Sequence, residues 1–367
     1  MRVGVLGAGQ LGWMLGLAGI PLGLRFRFLD PNPDSPAAAV GELVVAEYDD
    51  RKALARFVKG LDVVTFEFEN VPAAALKAFE GHVISWPTPQ ALAASQDRLA
   101  EKSLFDRLSI PTARFAEVSS FEDLGRAVAS LGLPAVLKTR RFGYDGKGQY
   151  VLRGIDEIPA AWSALGRQPL IIESFVPFER ELSMIAVRAR NGEVVTYPLI
   201  ENHHAGGILR ESIAPAPRVS PAIAQAAIEH VTRLLDKLEY IGVLTVEFFE
   251  SADGKLLANE MAPRVHNSGH WTIEGSACSQ FENHLRALCG FPLGSTECTG
   301  FSRMLNLIGD IPPADAVLAV PGAHLHDYGK EPREGRKVGH VTVCGATARE
   351  CASRAAEIRA RCGMPKD

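Results

Sequence analysis

Hydrophobic positions in this chain gather into short, solid runs separated by glycines and carboxylates. Residues 3–6 read as a buried strand that runs into Gly7-Ala-Gly9-Gln-Leu-Gly12 and an apolar helix. The pattern recurs at 25–29, ending at Asp30, and at 63–66, ending in Glu67-Phe-Glu69-Asn70, with Pro72 opening a helix. Strands alternating with helices predict a parallel sheet with helices on both faces, closing near Trp86-Pro-Thr-Pro89. A helical stretch over 91–108 leads to Pro111. A smaller unit then follows: helix 121–131, strand 135–139, a Gly-rich loop, strand 149–152, helix 156–165 and strand 170–173. Longer strands over 181–190 and 193–200 are joined by Asn191-Gly192, a hairpin signal. A helix over 221–238, a hairpin of strands 243–249 and 256–260, a helix over 280–288, a strand over 338–344 and a helix over 347–361 complete the chain. No internal repeat or low-complexity linker interrupts it.

The second hairpin carries a chemical consequence. Asp253-Gly254 suits a two-residue type I′ turn, and that turn sets Glu247 directly opposite Glu260. Two facing carboxylates repel and weaken a sheet. A divalent cation between them removes the cost, and Mg²⁺ is commonly held by one or two carboxylates together with substrate phosphates. The plainer alternatives are a solvated strand face with water between the two side chains, or a different register. The same alternation sends Asn259 to the opposite face unless a bulge or twist intervenes.

Two glycine loops compete for phosphate. Gly143-Tyr144-Asp145-Gly146-Lys147-Gly148 can turn several backbone N–H groups toward an anion, with Lys147 adding charge and Lys138 reaching a second phosphate from the strand before it. A simple hairpin connection is the other reading. No Walker-type P-loop is present. Gly7-x-Gly9-x-x-Gly12, with Asp30 ending the next strand, fits a dinucleotide fingerprint, so a dehydrogenase is the rival from another class. Against it, this first sheet is short, and the loop can instead hold one phosphate at a helix N-terminus. Beyond the carboxylate hairpin, Arg264, His266, Asn267, His270 and Trp271 crowd a Pro/Gly loop in which side chains can converge. Near the end, Lys330, Arg333, Arg336 and Lys337 make a basic segment, either a solvated turn or a phosphate grip.

Composition narrows the class. At 367 residues, 47% hydrophobic and 22% charged, the chain is expected to form two or three globular domains with full cores. Its net charge of −4 argues against a general nucleic-acid binder but leaves room for a small anionic substrate. No apolar run approaches the ~20 residues of a membrane helix, and the N-terminus reads as a strand in place of a signal peptide, so a cytoplasmic protein is expected. Six cysteines, all in the last quarter and without a CxxC pair, point to free thiols.

Taken together, these motifs resemble the ATP-grasp superfamily, and within it the ATP-dependent 5-(carboxyamino)imidazole ribonucleotide synthases of purine synthesis. The matching runs are Gly9-Gln-Leu-Gly12, Thr65-Phe-Glu-Phe-Glu-Asn70, Arg141-Phe-Gly-Tyr-Asp-Gly-Lys-Gly-Gln149, Asn259-Glu-Met-Ala-Pro-Arg-Val-His-Asn-Ser-Gly-His-Trp271 and Gly335-Arg-Lys-Val-Gly-His340. The resemblance implies an α/β and α+β architecture: an N-terminal parallel α/β domain over 1–95, a two-lobed ATP-grasp domain over 96–295 with its smaller lobe about 112–176, and a small C-terminal domain over 296–367. It implies ATP at Arg98, Lys138, Gly143, Tyr144, Asp145, Gly146, Lys147, Gly148, Gln149, Glu173, Ser174, Phe175, Val176, Glu181, His204, Asn259 and Glu260. Mg²⁺, with Mn²⁺ as a substitute, belongs on Glu247 and Glu260. Bicarbonate belongs near Arg264, His266 and Asn267, with Lys330 close by and Asp145 as candidate general base. The ribonucleotide phosphate belongs on Arg336 and Lys337, with Gly9, Gln10 and Leu11. A homodimer is implied as well. One departure is Trp13, where the family pattern carries Arg. A formate-dependent ribonucleotide transformylase or another ATP-grasp ligase shares the ATP site and differs only in the acceptor cluster.

Overall fold

The computed structural model describes residues 1–143 and 146–364. The N-terminal strands β1 (Arg2–Leu6), β2 (Arg25–Asp30), β3 (Glu42–Val45) and β4 (Val63–Phe66) form a parallel sheet in the order β3-β2-β1-β4. β3 escapes sequence reading because its four residues Glu-Leu-Val-Val lie on an edge and are at most half-buried. The helical stretch over 91–108 is in fact two helices, Pro89–Ser95 and Arg98–Arg107. Asp97 divides them by accepting the N–H groups of Leu99 and Ala100, an N-cap that restarts the helix.

The smaller lobe is an antiparallel sheet of β5 (Phe115–Val118), β6 (Ala135–Thr139), β7 (Gln149–Leu152) and β8 (Leu170–Ser174), in the order β5-β8-β6-β7. The larger lobe begins with β9 (Arg180–Arg188) and β10 (Val194–Thr196), followed by β11 (Ile200–Ala205), β12 (Ile208–Ala214), β13 (Gly242–Glu250) and β14 (Leu256–Ala262). The long partner strand expected over 193–200 is interrupted. β10 pairs with residues 186–188 of β9, Pro198 offers no N–H to the ladder, and pairing resumes at Ile200 in β11. A hairpin through Gly206-Gly207, both at positive φ, then returns as β12.

The C-terminal strands β15 (Phe301–Ile308), β16 (Ala323–Asp327) and β17 (Lys337–Gly345) do not make a sheet of their own. They extend the large-lobe sheet in the order β14-β13-β9-β11-β12-β15-β17-β16. Trp271, Phe281 and Leu285 of the large lobe share one core with Val3, Leu11 and Phe28 of the N-terminal domain. Burying each such side chain stabilises the fold by roughly 1.5–3 kcal/mol. Gly19 permits this approach, since a Cβ there would lie 2.9 Å from Leu285. A polar peg crosses the same seam. His284 accepts from the Val243 N–H at Nδ1 (3.0 Å) and therefore donates from Nε2 to Thr65 Oγ1 (3.0 Å). Burial pushes its pKa down to about 3, which keeps this arrangement neutral. All six cysteines are free, and no helix among the described residues is long and apolar enough to cross a membrane.

Candidate active site

Glu247 and Glu260 do face each other across β13 and β14, but by a different route from the one expected. The connection is a five-residue loop over 251–255, closed by Ser251 N–H to Lys255 O at 3.0 Å. A bulge at Asn259 then shifts the register by one and restores the Glu247–Glu260 pairing. The bulge also redirects Asn259, whose Oδ1 is buried with no protein partner. Arg98 Nη1 donates to Glu260 Oε2 at 2.8 Å. Burial opposes ionisation of Glu260, yet the Arg98 charge and hydrogen bond hold its pKa below the usual carboxylate range. Glu247 is pushed the other way, by burial and then by the Glu260 charge. One carboxylate firmly charged and its neighbour resisting charge is the arrangement a divalent cation relieves. No group of three or more His, Cys, Asp or Glu among the described residues is placed to hold a metal by itself. An ion here needs oxygen ligands from a substrate, and phosphates fit that need.

The smaller lobe and the helix Arg98–Arg107 before it supply cations. Lys138, near the end of β6, donates to Glu173 Oε2 at 3.1 Å, and Lys102 approaches the same oxygen at 3.4 Å. Burial would raise the Glu173 pKa, but these two lysines hold it down at about 2. Its other oxygen is buried without a partner. The glycine loop begins beside this cluster, with Arg98 Nη2 3.5 Å from Gly143 O. Gly148, at φ +72°, packs so closely on Thr139 that a Cβ would lie 2.6 Å from its Oγ1. Gly146 abuts the Gly206-Gly207 tip, with Gly206 O 3.1 Å from where a Cβ would stand. The two lobes thus touch across the cleft at glycines. Lys147 and Gln149 flank Gly148 at the entry to β7, while Tyr144 and Asp145 lie outside the described residues. Ser174 ends β8, Phe175 is exposed beyond it, and Val176 follows. On the larger lobe, Glu181 pairs with His204, and this partner raises the His204 pKa against the effect of burial.

The acceptor side lies beyond β14. Arg264 pairs with Glu69 of the N-terminal domain at 2.9 Å. His266 places Nε2 3.4 Å from Glu247 Oε1, so it adjoins the carboxylate pair. Asn267 is committed to Asn306 by two amide hydrogen bonds, at 3.0 and 2.6 Å. Lys330 donates to Gln10 Oε1 at 2.5 Å, linking the C-terminal segment to the first helix. The Lys337 charge acts on both Glu247 and His266. Arg336 acts on Lys330, although its guanidinium donates to Glu331 O at 3.0 Å.

The first glycine loop is less open than expected. Gly9 N–H donates to Glu67 Oε1 at 2.7 Å and Ala8 N–H to Asp30 Oδ2 at 2.9 Å, so carboxylates already occupy two donors that a phosphate would need. The Leu11 side chain lies in the core; only its backbone can face a ligand. The Trp13 side chain packs partly buried against the same core.

Comparison with known proteins agrees with this geometry. A model of the ribonucleotide synthetase preATP-grasp domain matches residues 1–96, one of the ATP-grasp domain matches 103–281, and one of the phosphoribosylaminoimidazole carboxylase C-terminal domain matches 302–354. The N5-carboxyaminoimidazole ribonucleotide synthase of Pseudomonas aeruginosa is 53% identical over 360 residues, 98% of this chain and 99% of that one. The chain belongs to the N5-carboxyaminoimidazole ribonucleotide synthase family. It is an ATP-grasp ligase. A family member from Thermus thermophilus has a crystal structure with a TM-score of 0.95 and 53% identity, covering 100% of both chains. Another, from Aspergillus clavatus and solved with ADP and 5-aminoimidazole ribonucleotide, has a TM-score of 0.92 at 34% identity, covering 99% of each chain.

Within this synthase family frame, sequence reasoning missed Lys102 and Glu101. Lys102 is 1% exposed and bonds Thr112 Oγ1 (2.9 Å) and Ala258 O (3.2 Å) besides approaching Glu173. Glu101 accepts the Met261 N–H at 2.7 Å. A signal existed: 98, 101, 102 and 105 share one helix face, and Phe105 marks that face as buried. Charged residues at core-facing positions announce internal partners.

Proposed function

We propose that the chain uses ATP and bicarbonate to carboxylate the exocyclic amine of 5-aminoimidazole ribonucleotide, giving the carbamate with release of ADP and phosphate. The observation that carries this reading is the meeting of two charge sets at Glu247 and Glu260. The nucleotide-side cations Arg98 and Lys138 act on Glu260, the cations Arg264 and Lys337 act on the same pair from the acceptor side, and His266, kept neutral by burial, adjoins Glu247. A phosphoryl group held by the first set comes within reach of an acceptor held by the second.

In this reading a bicarbonate oxygen attacks the γ-phosphorus of ATP, and the bond to the ADP oxygen breaks. Carboxyphosphate then releases phosphate and CO₂. The amine nitrogen bonds to the carbon of CO₂ and gives up a proton, for which Asp145 in the glycine loop is the proposed acceptor. Lys138 and Arg98 offset charge on the phosphates, and the loop excludes water that would hydrolyse carboxyphosphate. Glu247 and Glu260 would hold Mg²⁺, which when bound supplies charge neutralisation for the β- and γ-phosphates. Arg264 and Lys330 orient bicarbonate, and Arg336 and Lys337 take the ribonucleotide phosphate.

The test is ADP release with Mg-ATP and labelled bicarbonate, with and without the ribonucleotide. Ribonucleotide-stimulated ADP release with matching acid-labile carbon is expected. ADP release indifferent to the ribonucleotide would transfer the site to another acceptor.

A further inference from the structure

A row of polar side chains crosses the large sheet beneath His266. Ser212 of β12 stands opposite Asn202 of β11. Asn202 is diagonal to Ser183 of β9, and Ser183 stands opposite Glu247 of β13. The row is dry: Ser183, Ser212 and Ser268 are 0% exposed and Asn202 is 4% exposed. Polar groups survive in such a place only when hydrogen-bonded.

Each of them is bonded, and the donors run one way. Ser212 Oγ–H donates to Asn202 Oδ1 at 2.8 Å, and Asn202 Nδ2–H donates to Ser183 Oγ at 2.9 Å. Ser183 Oγ lies 2.9 Å from Ser268 Oγ, which lies 2.9 Å from His266 Nδ1. The backbone fixes the sense of these last two links. Ser268 N–H donates to His266 Nδ1 at 3.3 Å, so that nitrogen is an acceptor and carries no proton. The Ser268 hydroxyl must therefore donate to it, and the Ser183 hydroxyl must donate to Ser268. The ring proton is left on Nε2, the nitrogen that faces Glu247.

We propose that Ser212, Asn202, Ser183 and Ser268 are positioning residues that hold His266 as the Nε2–H tautomer, a hydrogen-bond donor aimed into the site. The inference rests on the carboxylation reading, since the anion that receives this hydrogen bond is taken to be bicarbonate. A ring held this way presents an N–H and no lone pair to the reacting atoms. It steadies an anionic oxygen and does not remove a proton, so the base must be another group.

Nitrogen-15 NMR of the full-length protein labelled at histidine tests the tautomer directly, with the His266 signal assigned by its loss in His266→Gln. A protonated Nε2 and a bare Nδ1 are expected; a protonated Nδ1 overturns the proposal. Ser268→Ala should raise the KM for bicarbonate about 5- to 10-fold, with the KM for ATP within about twofold, as loss of one positioning hydrogen bond implies. Ser268→Thr, which keeps the hydroxyl, should restore it. Equal shifts in both KM values, or failure of the threonine to restore, would leave the row a purely structural network. The NMR result stands even if Ser268→Ala does not fold, and it stands if wild-type protein shows no bicarbonate-dependent ADP release. That last outcome would defeat the carboxylation reading alone.

Discussion

Lys330 shows how one side chain joins packing to chemistry. It sits between the C-terminal segment and the first helix, bonded to Gln10 and lying 5.7 Å from the centre of the Tyr328 ring. Burial lowers its pKa to about 8, partly opposed by the Glu67 charge and reinforced by Arg336 and Lys337. An ammonium is charged below its pKa, so Lys330 is mostly a cation at pH 7 and loses that charge as pH rises through about 8. If it helps to hold bicarbonate as a cation, the KM for bicarbonate should climb above about pH 8, approaching about tenfold per unit. Lys330→Arg should flatten the profile, because a guanidinium stays charged across this range. Steady-state kinetics from about pH 7 to 9.5 provide the check, and a flat wild-type profile would remove Lys330 from that role. At this scale the sequence was legible where charge stands beside glycine or proline, as at Arg264 after Pro263. It was opaque where a charged residue is buried in a helix, as at Lys102 and Glu101.

At the scale of elements, β13 and β14 show two misreadings that cancel. The turn is longer than Asp253-Gly254 suggests, because Ser251 and Lys255 close a wider loop, and the bulge at Asn259 compensates by one residue. The register of a two-residue turn predicted the facing carboxylates, but no residue in the run Leu-Leu-Ala-Asn-Glu announces where a bulge falls. The interrupted β10–β11 partner and the edge strand β3 failed for related reasons: short strands are set by neighbours more than by their own pattern. The bulge has a testable consequence. Asn259 Oδ1 is buried with no protein partner, so removing it leaves no protein group newly unpaired. Asn259→Ala should leave the melting temperature nearly unchanged and weaken ATP binding about 5- to 10-fold, the range for one lost hydrogen bond. Calorimetric titration and thermal unfolding of the same variant separate the two effects. Lost stability with normal ATP affinity would mean that the amide serves the fold alone.

At the scale of the whole molecule, the family models divide the chain into three segments, while the hydrogen bonds do not respect the last division. β15 pairs with β12 from Glu211↔Leu305 to Ala214↔Ser302. Across the same seam, Arg303 bonds Glu211 at 2.8 Å and Asn306 bonds both Asn267 and Leu209 O. The third segment therefore supplies the last three strands of one continuous sheet, and it fixes the loop that carries His266. Nothing in the sequence periodicity foretold this, because a strand does not declare its partner when the partner lies far along the chain; only side chains brought together by the fold do so. A chain ending at residue 300 would leave β12 as a bare edge, with Glu211 stripped of Arg303 and Asn267 without Asn306. Open edges with unpaired N–H and C=O groups pair with other chains, and a buried carboxylate without its cation destabilises by about 3–5 kcal/mol. The truncated protein is expected to aggregate and to show no cooperative melt, whereas a separable C-terminal domain would leave a monodisperse core that still binds ATP. Size-exclusion chromatography with ADP titration distinguishes the two. Aggregation on truncation would mean that the strands on the Lys330 side and those on the nucleotide side fold as a single sheet.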